Sequence, residues 1–328
     1  MKKIVVDMMG SDLGTQATIG AVLTFHKDHP DYQIFAVGKQ EELEPLKEAA
    51  TIVDARDVVP MTAGALEVLR MKTSSMVVAI DTFLAEKADG IISAGATGAF
   101  LSAVTLKLKK IPGVLRPALI TNFPNLKKGG YVTLLDVGAS NENTPEEMAQ
   151  FAFMGTLFAK AVFGLENPEV KLLANGTEEG KGSPEGKEAF KLLSEDKRIN
   201  FQGNTEGSAV FTDTADVVVT DGFTGNVMLK SSEGAIKAMS GLMKKGFKKN
   251  FKRKMGYLLA KGAIKELKAV LDPKNVGGAM LIGVNGVAVK AHGNSTDVSF
   301  RSAMEVEYRM IEAGITEKIA QGFKEAEQ

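Results

Sequence analysis

Apolar residues along the chain follow two periodicities that alternate. Short β-branched runs recur at Ile4–Asp7, Gln33–Val37, Gly90–Ser93, Ala118–Asn122, Tyr131–Asp136, Val170–Ala174 and Asp216–Asp221. Between them, apolar positions at helical spacing predict helices over Gln16–His26, Glu41–Ala50, Ser74–Glu86, Thr97–Lys109, Pro145–Val162 and Pro184–Leu193. Strand–helix alternation of this kind predicts an α/β fold, a three-layer α/β/α arrangement around a mainly parallel sheet. Several of the strands are apolar throughout, as expected where helices cover both faces. Two helix starts carry chemical markers: Thr144-Pro145-Glu146-Glu147 and Ser183-Pro184-Glu185 each set a capping hydroxyl before a proline at the first helical position.

Strand signals stop between about 234 and 271, where the pattern becomes helical. Lys244, Lys245, Lys248, Lys249, Lys252, Arg253, Lys254, Lys261, Lys265 and Lys268 fall in this stretch, opposed there only by Glu266. Phe247, Phe251, Met255, Leu258 and Leu259 recur every three to four residues, so one helix would carry them as an apolar stripe beside the cations. Beyond Gly262 the set Ile264, Leu267 and Leu271 shifts phase, which predicts a second helix starting there. Three readings stay open for this basic amphipathic segment. It could dock on an anionic lipid surface, each basic residue contributing on the order of 1 kcal/mol. It could bind an acidic protein, or it could be an ordinary surface or dimer helix. The simplest domain reading is one α/β unit over residues 1–328 with this helical excursion.

Composition changes the picture by exclusion. The 328 residues are 44% hydrophobic and 24% charged, which sets aside disordered, collagen-like and coiled-coil classes. Forty basic residues balance forty acidic ones, so no whole-molecule field draws the chain to nucleic acid. With no cysteine there is no disulfide, thiolate metal site or cysteine nucleophile, and any thiol chemistry comes from a substrate. His26, His29 and His292 stand at no metal-binding spacing, and neither a metal nor a cofactor is expected. Asp7 interrupts the apolar run after Met1-Lys2-Lys3, which argues for a first strand over a signal peptide. Glycines and Asn285 break the apolar stretch Val276–Val289, too short in any case for a membrane span. A cytoplasmic protein is the expectation.

Candidate chemistry lies in the loops after the strands, where α/β sheets bind ligands. Ala94-Gly95-Ala96-Thr97-Gly98-Ala99 leads straight into a helix whose N-terminus favours a phosphate or carboxylate. Asp136-Val137-Gly138-Ala139-Ser140, Ala174-Asn175-Gly176-Thr177-Glu178-Glu179-Gly180-Lys181-Gly182-Ser183 and Asp221-Gly222-Phe223-Thr224-Gly225-Asn226 follow three further strands. On one sheet these four loops are expected to converge.

Several of these segments resemble the PlsX-type phosphate acyltransferases. The most distinctive is Asp216-Val217-Val218-Val219-Thr220-Asp221-Gly222-Phe223-Thr224-Gly225-Asn226-Val227. The same order continues in Ser93–Ala99, Leu134–Ala139, Ile199-Asn200-Phe201-Gln202-Gly203-Asn204 and Lys290-Ala291-His292-Gly293, so the likeness spans nearly the whole chain. It implies transfer of a long acyl group from acyl carrier protein to inorganic phosphate, giving acyl phosphate for phospholipid synthesis. It also implies a homodimer, peripheral membrane attachment, and a fold similar to phosphotransacetylases and isocitrate or isopropylmalate dehydrogenases.

That reaction needs an activated thioester and a phosphate held together, with the charged tetrahedral intermediate stabilised. By similarity Lys181 and Asn226 match the family's proposed catalytic lysine and asparagine. Lys181 is suited to neutralise phosphate or protonate the departing thiolate, and Asn226 to donate its amide to the oxyanion or phosphate. His292 is a further catalytic candidate, which could instead be structural. Asp12, Gly95, Thr97, Gly98, Asp136, Gly138, Asn175, Asp221, Thr224 and Gly225 form the expected substrate-binding set. Phe247, Lys248, Phe251, Lys252, Arg253 and Leu258 form the docking set. Arg70, Lys72, Ser74 and Ser75 match another family segment and suit phosphate or phosphopantetheine, or simply a helix start. The chain departs from the family pattern at Ser11 and Leu13, where Gly and His are usual, at Ala96 and Ser140, where Asn is usual, and at Ala174-Asn175-Gly176. Two other readings remain: acyl transfer from a coenzyme A thioester, and a catalytically impaired docking module. A nicotinamide dehydrogenase is disfavoured, because no GxGxxG with a downstream ribose-binding acid occurs.

Overall fold

The computed structural model describes residues 1–64, 67–271 and 278–326. In chain order its elements are β1 (Lys2–Asp7), α1 (Gln16–Asp28), β2 (Tyr32–Gly38), α2 (Gln40–Leu43), β3 (Thr51–Asp54), α3 (Ser75–Glu86), β4 (Gly90–Ser93), α4 (Thr97–Leu108), β5 (Ala118–Pro124) and β6 (Tyr131–Leu135). There follow α5 (Pro145–Phe163), β7 (Glu169–Ala174), α6 (Pro184–Glu195), β8 (Asn200–Glu206), β9 (Val217–Val219), α7 (Gly222–Lys248), α8 (Phe251–Leu271), β10 (Ala279–Ile282), β11 (Val287–Lys290), α9 (Asp297–Glu312) and α10 (Ile315–Ala326).

The strands join in one sheet in the order β3-β2-β1-β4-β11-β10-β5-β6-β9-β7-β8. Alternate residues of a strand feed opposite faces: Ile4 and Val6 of β1 belong to the core on the side of α1, α5, α9 and α10, while Val5 belongs to the core on the side of α3 and α4. The result is the expected α/β/α sandwich.

The centre of the sheet is where expectation and structure part. Pairing is parallel on both flanks, but β10 runs antiparallel to β11 and β5, and β5 antiparallel to β6. The two flanks therefore point in opposite directions, and their loops do not all leave one edge. Instead, strand ends meet in mid-sheet. Lys290, the last residue of β11, pairs with Ala279, and the next residue, Met280, pairs with Ile120. Ile120 also pairs with Leu135, the last residue of β6. Strands β11 and β6 thus end almost level, facing each other across β10 and β5.

Four strands were not predicted. Strands β3 and β8 are short or polar edge strands, and β8 (Asn-Phe-Gln-Gly-Asn-Thr-Glu) gives no alternating signal. Strands β10 and β11 form a hairpin from the glycine-broken stretch; its first residues, Val276 and Gly277, lie outside the described residues. Gly283 and Gly286 sit there at φ +88° and +141°, a backbone conformation costly to side chains. The expected helix over Glu41–Ala50 is only the short α2, followed by a tight 3-10 turn at Glu44–Leu46. Pro45 explains this: it offers no N–H to bond back to the Glu41 carbonyl, which interrupts the α-helical ladder, although Glu44 before it keeps helical backbone.

The helical excursion also differs from its prediction. Helix α7 starts at Gly222, well before residue 234, because the Asp221 side chain caps it by accepting from the Thr224 N–H (2.8 Å). The break falls at Lys249-Asn250, where Asn250 Oδ1 accepts from the Arg253 N–H (2.9 Å), and α8 runs through Gly256 and Gly262. The side-chain cap at Asn250 sets where α8 starts, and the helix tolerates its two interior glycines at about 1 kcal/mol each. Phe247 and Phe251 consequently belong to different helices and do not share one stripe. The Phe247 ring meets Tyr257 across the α7–α8 turn with centroids 5.4 Å apart.

Candidate active site

A cavity of about 320 Å³ opens where β11 and β6 end, between β5 and the first turns of α7. Its polar lining is Thr97, Thr121, Asn122, Asn226, Lys230, Glu233, Lys290 and His292; Leu119, Phe123, Val137, Leu229 and Ile236 supply an apolar wall. Three of the four predicted loops contribute: Thr97 from the loop after β4, Gly138 from that after β6, and Asn226 from the start of α7.

The loop after β6 is shaped by Asp136. Its buried carboxylate accepts from the backbone N–H groups of Leu119 (2.8 Å), Gly138 (3.1 Å), Ala139 (2.9 Å) and Ser140 (3.0 Å). Burial pushes this carboxyl up from its ordinary value, and the backbone donors pull the other way. With its oxygens so engaged, Asp136 holds Gly138 at the cavity wall, against Asn226. Glycine is required beside it: a Cβ on Gly225 would lie 1.9 Å from the Asp136 carbonyl oxygen, and one on Gly222 2.0 Å from that of Ser140. Asn143 locks the same junction, accepting from the Gly222 N–H (2.9 Å) and donating to Ser140 Oγ (3.1 Å). Asp221 and Thr224 are engaged with each other as the α7 cap. Asn226, just beyond, is exposed to the cavity.

The opposite wall comes from the start of α4 and the end of β11, and the loop after β1 backs it. Gly95 is buried because Gly10 approaches it; a Cβ on Gly10 would lie 2.4 Å from the Gly95 nitrogen. Thr97 and Gly98 are exposed in the first turn of α4. Asp12 donates its backbone N–H to the Gly293 carbonyl (2.7 Å), and Ser11 Oγ donates to that same oxygen (3.2 Å). The serine that departs from the family pattern thereby ties the first loop to Gly293. Beneath lies Asp7, fully buried, accepting from Ser93 Oγ (2.7 Å) and the Met9 N–H (3.2 Å).

Lys290 and Glu233 were not singled out from sequence. The Lys290 side chain is only 7% exposed, and its ammonium donates to the Ala291 carbonyl. Burial pushes it down to about 8, against the pull of Asp7 and Asp12, with Lys230 adding to the fall. Burial also pushes the Asp7 carboxyl up, while Ser75 and Ser93 hold it down by hydrogen bonding. Glu233 Oε2 accepts from Lys230 Nζ (3.0 Å), and its Oε1 lies 3.9 Å from His292 Nε2. A lysine ending a buried strand was the available signal for Lys290; Glu233 offered none.

Other predicted residues lie elsewhere. Lys181 is exposed in the loop after β7, outside the cavity lining, with its aliphatic stem against Gly176. Asn175 closes that loop by accepting from the Gly182 N–H (2.9 Å). Since β7 pairs with β9, the loop stands beside the entry to α7. Ser74 and Ser75 are buried, Ser74 donating to the Met71 carbonyl, whereas Arg70 and Lys72 are exposed. Phe251, Leu258, Lys248, Lys252 and Arg253 are exposed on α7 and α8, Phe251 by 77%. Among the described residues no helix is long and apolar enough to cross a membrane.

A family model described as fatty acid synthesis protein matches residues 2–318. The phosphate acyltransferase of Thermosipho melanesiensis is 38% identical over 326 residues, covering 99% of this chain and 97% of that protein. The chain belongs to the phosphate acyltransferase family. This family member is an acyltransferase of fatty acid synthesis. Its fold is shared with a phosphotransacetylase from Streptococcus pyogenes (TM-score 0.63, 15% identity, 95% of this chain and 94% of that one). It is shared also with the EutD phosphotransacetylase from Staphylococcus aureus (TM-score 0.57, 17% identity, 94% of each chain).

Proposed function

We propose that this phosphate acyltransferase moves a long acyl group from acyl carrier protein to inorganic phosphate, giving acyl phosphate for phospholipid synthesis. The observation that carries the reading is the cavity itself: Thr97 at a helix N-terminus, Asn226, Lys230, Lys290 and His292 surround a space suited to an anion, beside an apolar wall. Phosphate binds there and attacks the thioester carbonyl directly. Asn226 donates its amide to the oxyanion, and the exposed Lys181 supplies positive charge from the neighbouring loop. Asp12, Asp136, Asn175 and Asp221 position these loops. Gly95, Gly98, Gly138, Thr224 and Gly225 shape the backbone through which phosphate and thioester approach. Long-chain acyl carrier protein plus phosphate is expected to yield a hydroxamate on trapping with hydroxylamine, and Lys181→Ala to lower the rate. No hydroxamate from the wild type sinks the reading, as does a higher rate with acyl coenzyme A at equal concentration.

The exposed apolar side chains of α7 and α8, Leu242, Phe251, Leu258 and Leu259, support peripheral attachment of a cytoplasmic protein to anionic membranes. Lys248, Lys252 and Arg253 lie alongside them. A homodimer, as the family resemblance implies, completes the proposed assembly, with residues 1–328 folding as one α/β unit.

A further inference from the structure

Thioester cleavage leaves a thiolate, an alkyl thiol having a pKa of about 8.5, and the transfer is faster if a proton reaches sulfur as the bond breaks. We propose that Lys290 is the catalytic residue that supplies that proton. The inference rests on the acyl transfer to phosphate proposed above and names the acid that serves it.

Three features of the cavity point to this side chain. Lys290 ends β11 at the level where β6 ends, so it stands where both halves of the sheet offer loops to one space. It lines the cavity, yet is 7% exposed, so the protein itself keeps most of the side chain from bulk water. An ammonium has three donors, and here one is held by the Ala291 carbonyl, which fixes the direction of the others. Lys181, by contrast, is exposed and outside the cavity.

Burial makes proton loss from Lys290 feasible, and the charges around it hold that loss in check. Asp7 lies on β1, Asp12 in the loop after it, Lys230 and Glu233 on α7, and His292 two residues on. Burial and Lys230 weaken its hold on the proton, and Asp7 with Asp12 keep it from being lost altogether. The ammonium, pushed down to about 8, is near the acidity of the thiol it would serve.

The step balances without another reactant. A phosphate oxygen of the hydrogen phosphate dianion attacks the carbonyl carbon, forming the C–O bond. Collapse breaks the C–S bond, its electron pair going to sulfur, which takes a proton from Lys290. The neutral amine then recovers a proton from the phosphate hydroxyl, which acylation has made more acidic. One thiol and one acyl phosphate dianion leave, and Lys290 is again charged.

The test compares two donors with the same acyl chain and phosphate: acyl carrier protein, whose thiol is alkyl, and the 4-nitrothiophenyl thioester, whose thiolate needs no protonation. Lys290→Gln is expected to lower kcat with the carrier by about 100-fold or more, and to change the rate with the aryl thioester only slightly. Equal losses with both donors, or no loss with either, overturn the proposal. Should that variant not fold, Lys290→Met serves, and the wild type alone gives an answer. Across aryl and alkyl thioesters its rate should vary little with thiol acidity, and a steep dependence refutes the acid. A wild type that makes no acyl phosphate from either donor defeats the underlying function instead.

Discussion

Glu307 offers the sharpest test of how burial governs this fold. It lies on α9 with no exposed surface, and neither carboxyl oxygen has a hydrogen-bond partner. The space is tight: a Cβ on Gly90 of β4 would come within 2.5 Å of Glu307 Oε1. Burial alone pushes the carboxyl well above its usual range, so the folded protein keeps a proton that the unfolded chain releases above about pH 4.3. Here the native state binds one proton more than the unfolded state. Stability therefore falls as pH rises, by about 1.4 kcal/mol per pH unit while that difference lasts, and is fully present below the unfolded pKa.

Other groups titrate over the same interval, so the quantity to measure is a difference. Glu307→Gln keeps the shape and removes the titration. Its amide hydrogens lack acceptors just as the acid's oxygens lack donors, which adds an offset of about 1–3 kcal/mol that does not depend on pH. Urea unfolding of both proteins at pH 5, 6 and 7 should show the wild type losing stability relative to the variant with each step. Parallel curves would refute the reasoning, whatever the offset, because they would mean that Glu307 ionises alike in both states.

Two other perturbations test the site and the surface. Gly225→Ala places a methyl group 1.9 Å from the Asp136 carbonyl oxygen, so it should cost at least 1–3 kcal/mol and displace Asn226. Unchanged melting together with unchanged acyl transfer would contradict that close approach. Replacing Phe247, Phe251 and Leu258 with polar residues should abolish sedimentation with phosphatidylglycerol vesicles and leave the melting temperature within a few degrees, since Phe251 and Leu258 are already exposed. Persistent binding of the variant, or wild-type binding to acyl carrier protein with no response to vesicles, argues against a lipid-facing surface.

Much of the fold was legible because it rests on short-range rules. Strand β4 begins and ends where its apolar run does, and α5 starts at the Thr144 cap, where the Glu147 N–H donates to Thr144 Oγ1 (3.2 Å) and the Glu147 side chain accepts in return from the Thr144 N–H. Reading failed where a long-range partner decides. The glycine-broken stretch that forms β10 and β11 becomes strand only by insertion between β4 and β5, and nothing local announces that neighbour.

The same division explains the site. Glycine-rich loops announce themselves, so Thr97, Gly138 and Asn226 were found, but whether such loops meet depends on strand direction. Because β10 and β5 reverse the sheet, the end of β11 meets the loop after β6 at the cavity, whereas the loop after β7, two strands further out than β6, stays outside it. That reversal puts Lys290 on the cavity wall, while Lys181, on the loop after the more distant β7, is exposed beside the entry to α7. In sequence the two lysines differ little: each stands near glycines in a family-like segment. In space, burial gives one of them a proton it can lose near pH 8, with Lys230 adding to that fall and Asp7 and Asp12, from the other end of the chain, opposing it.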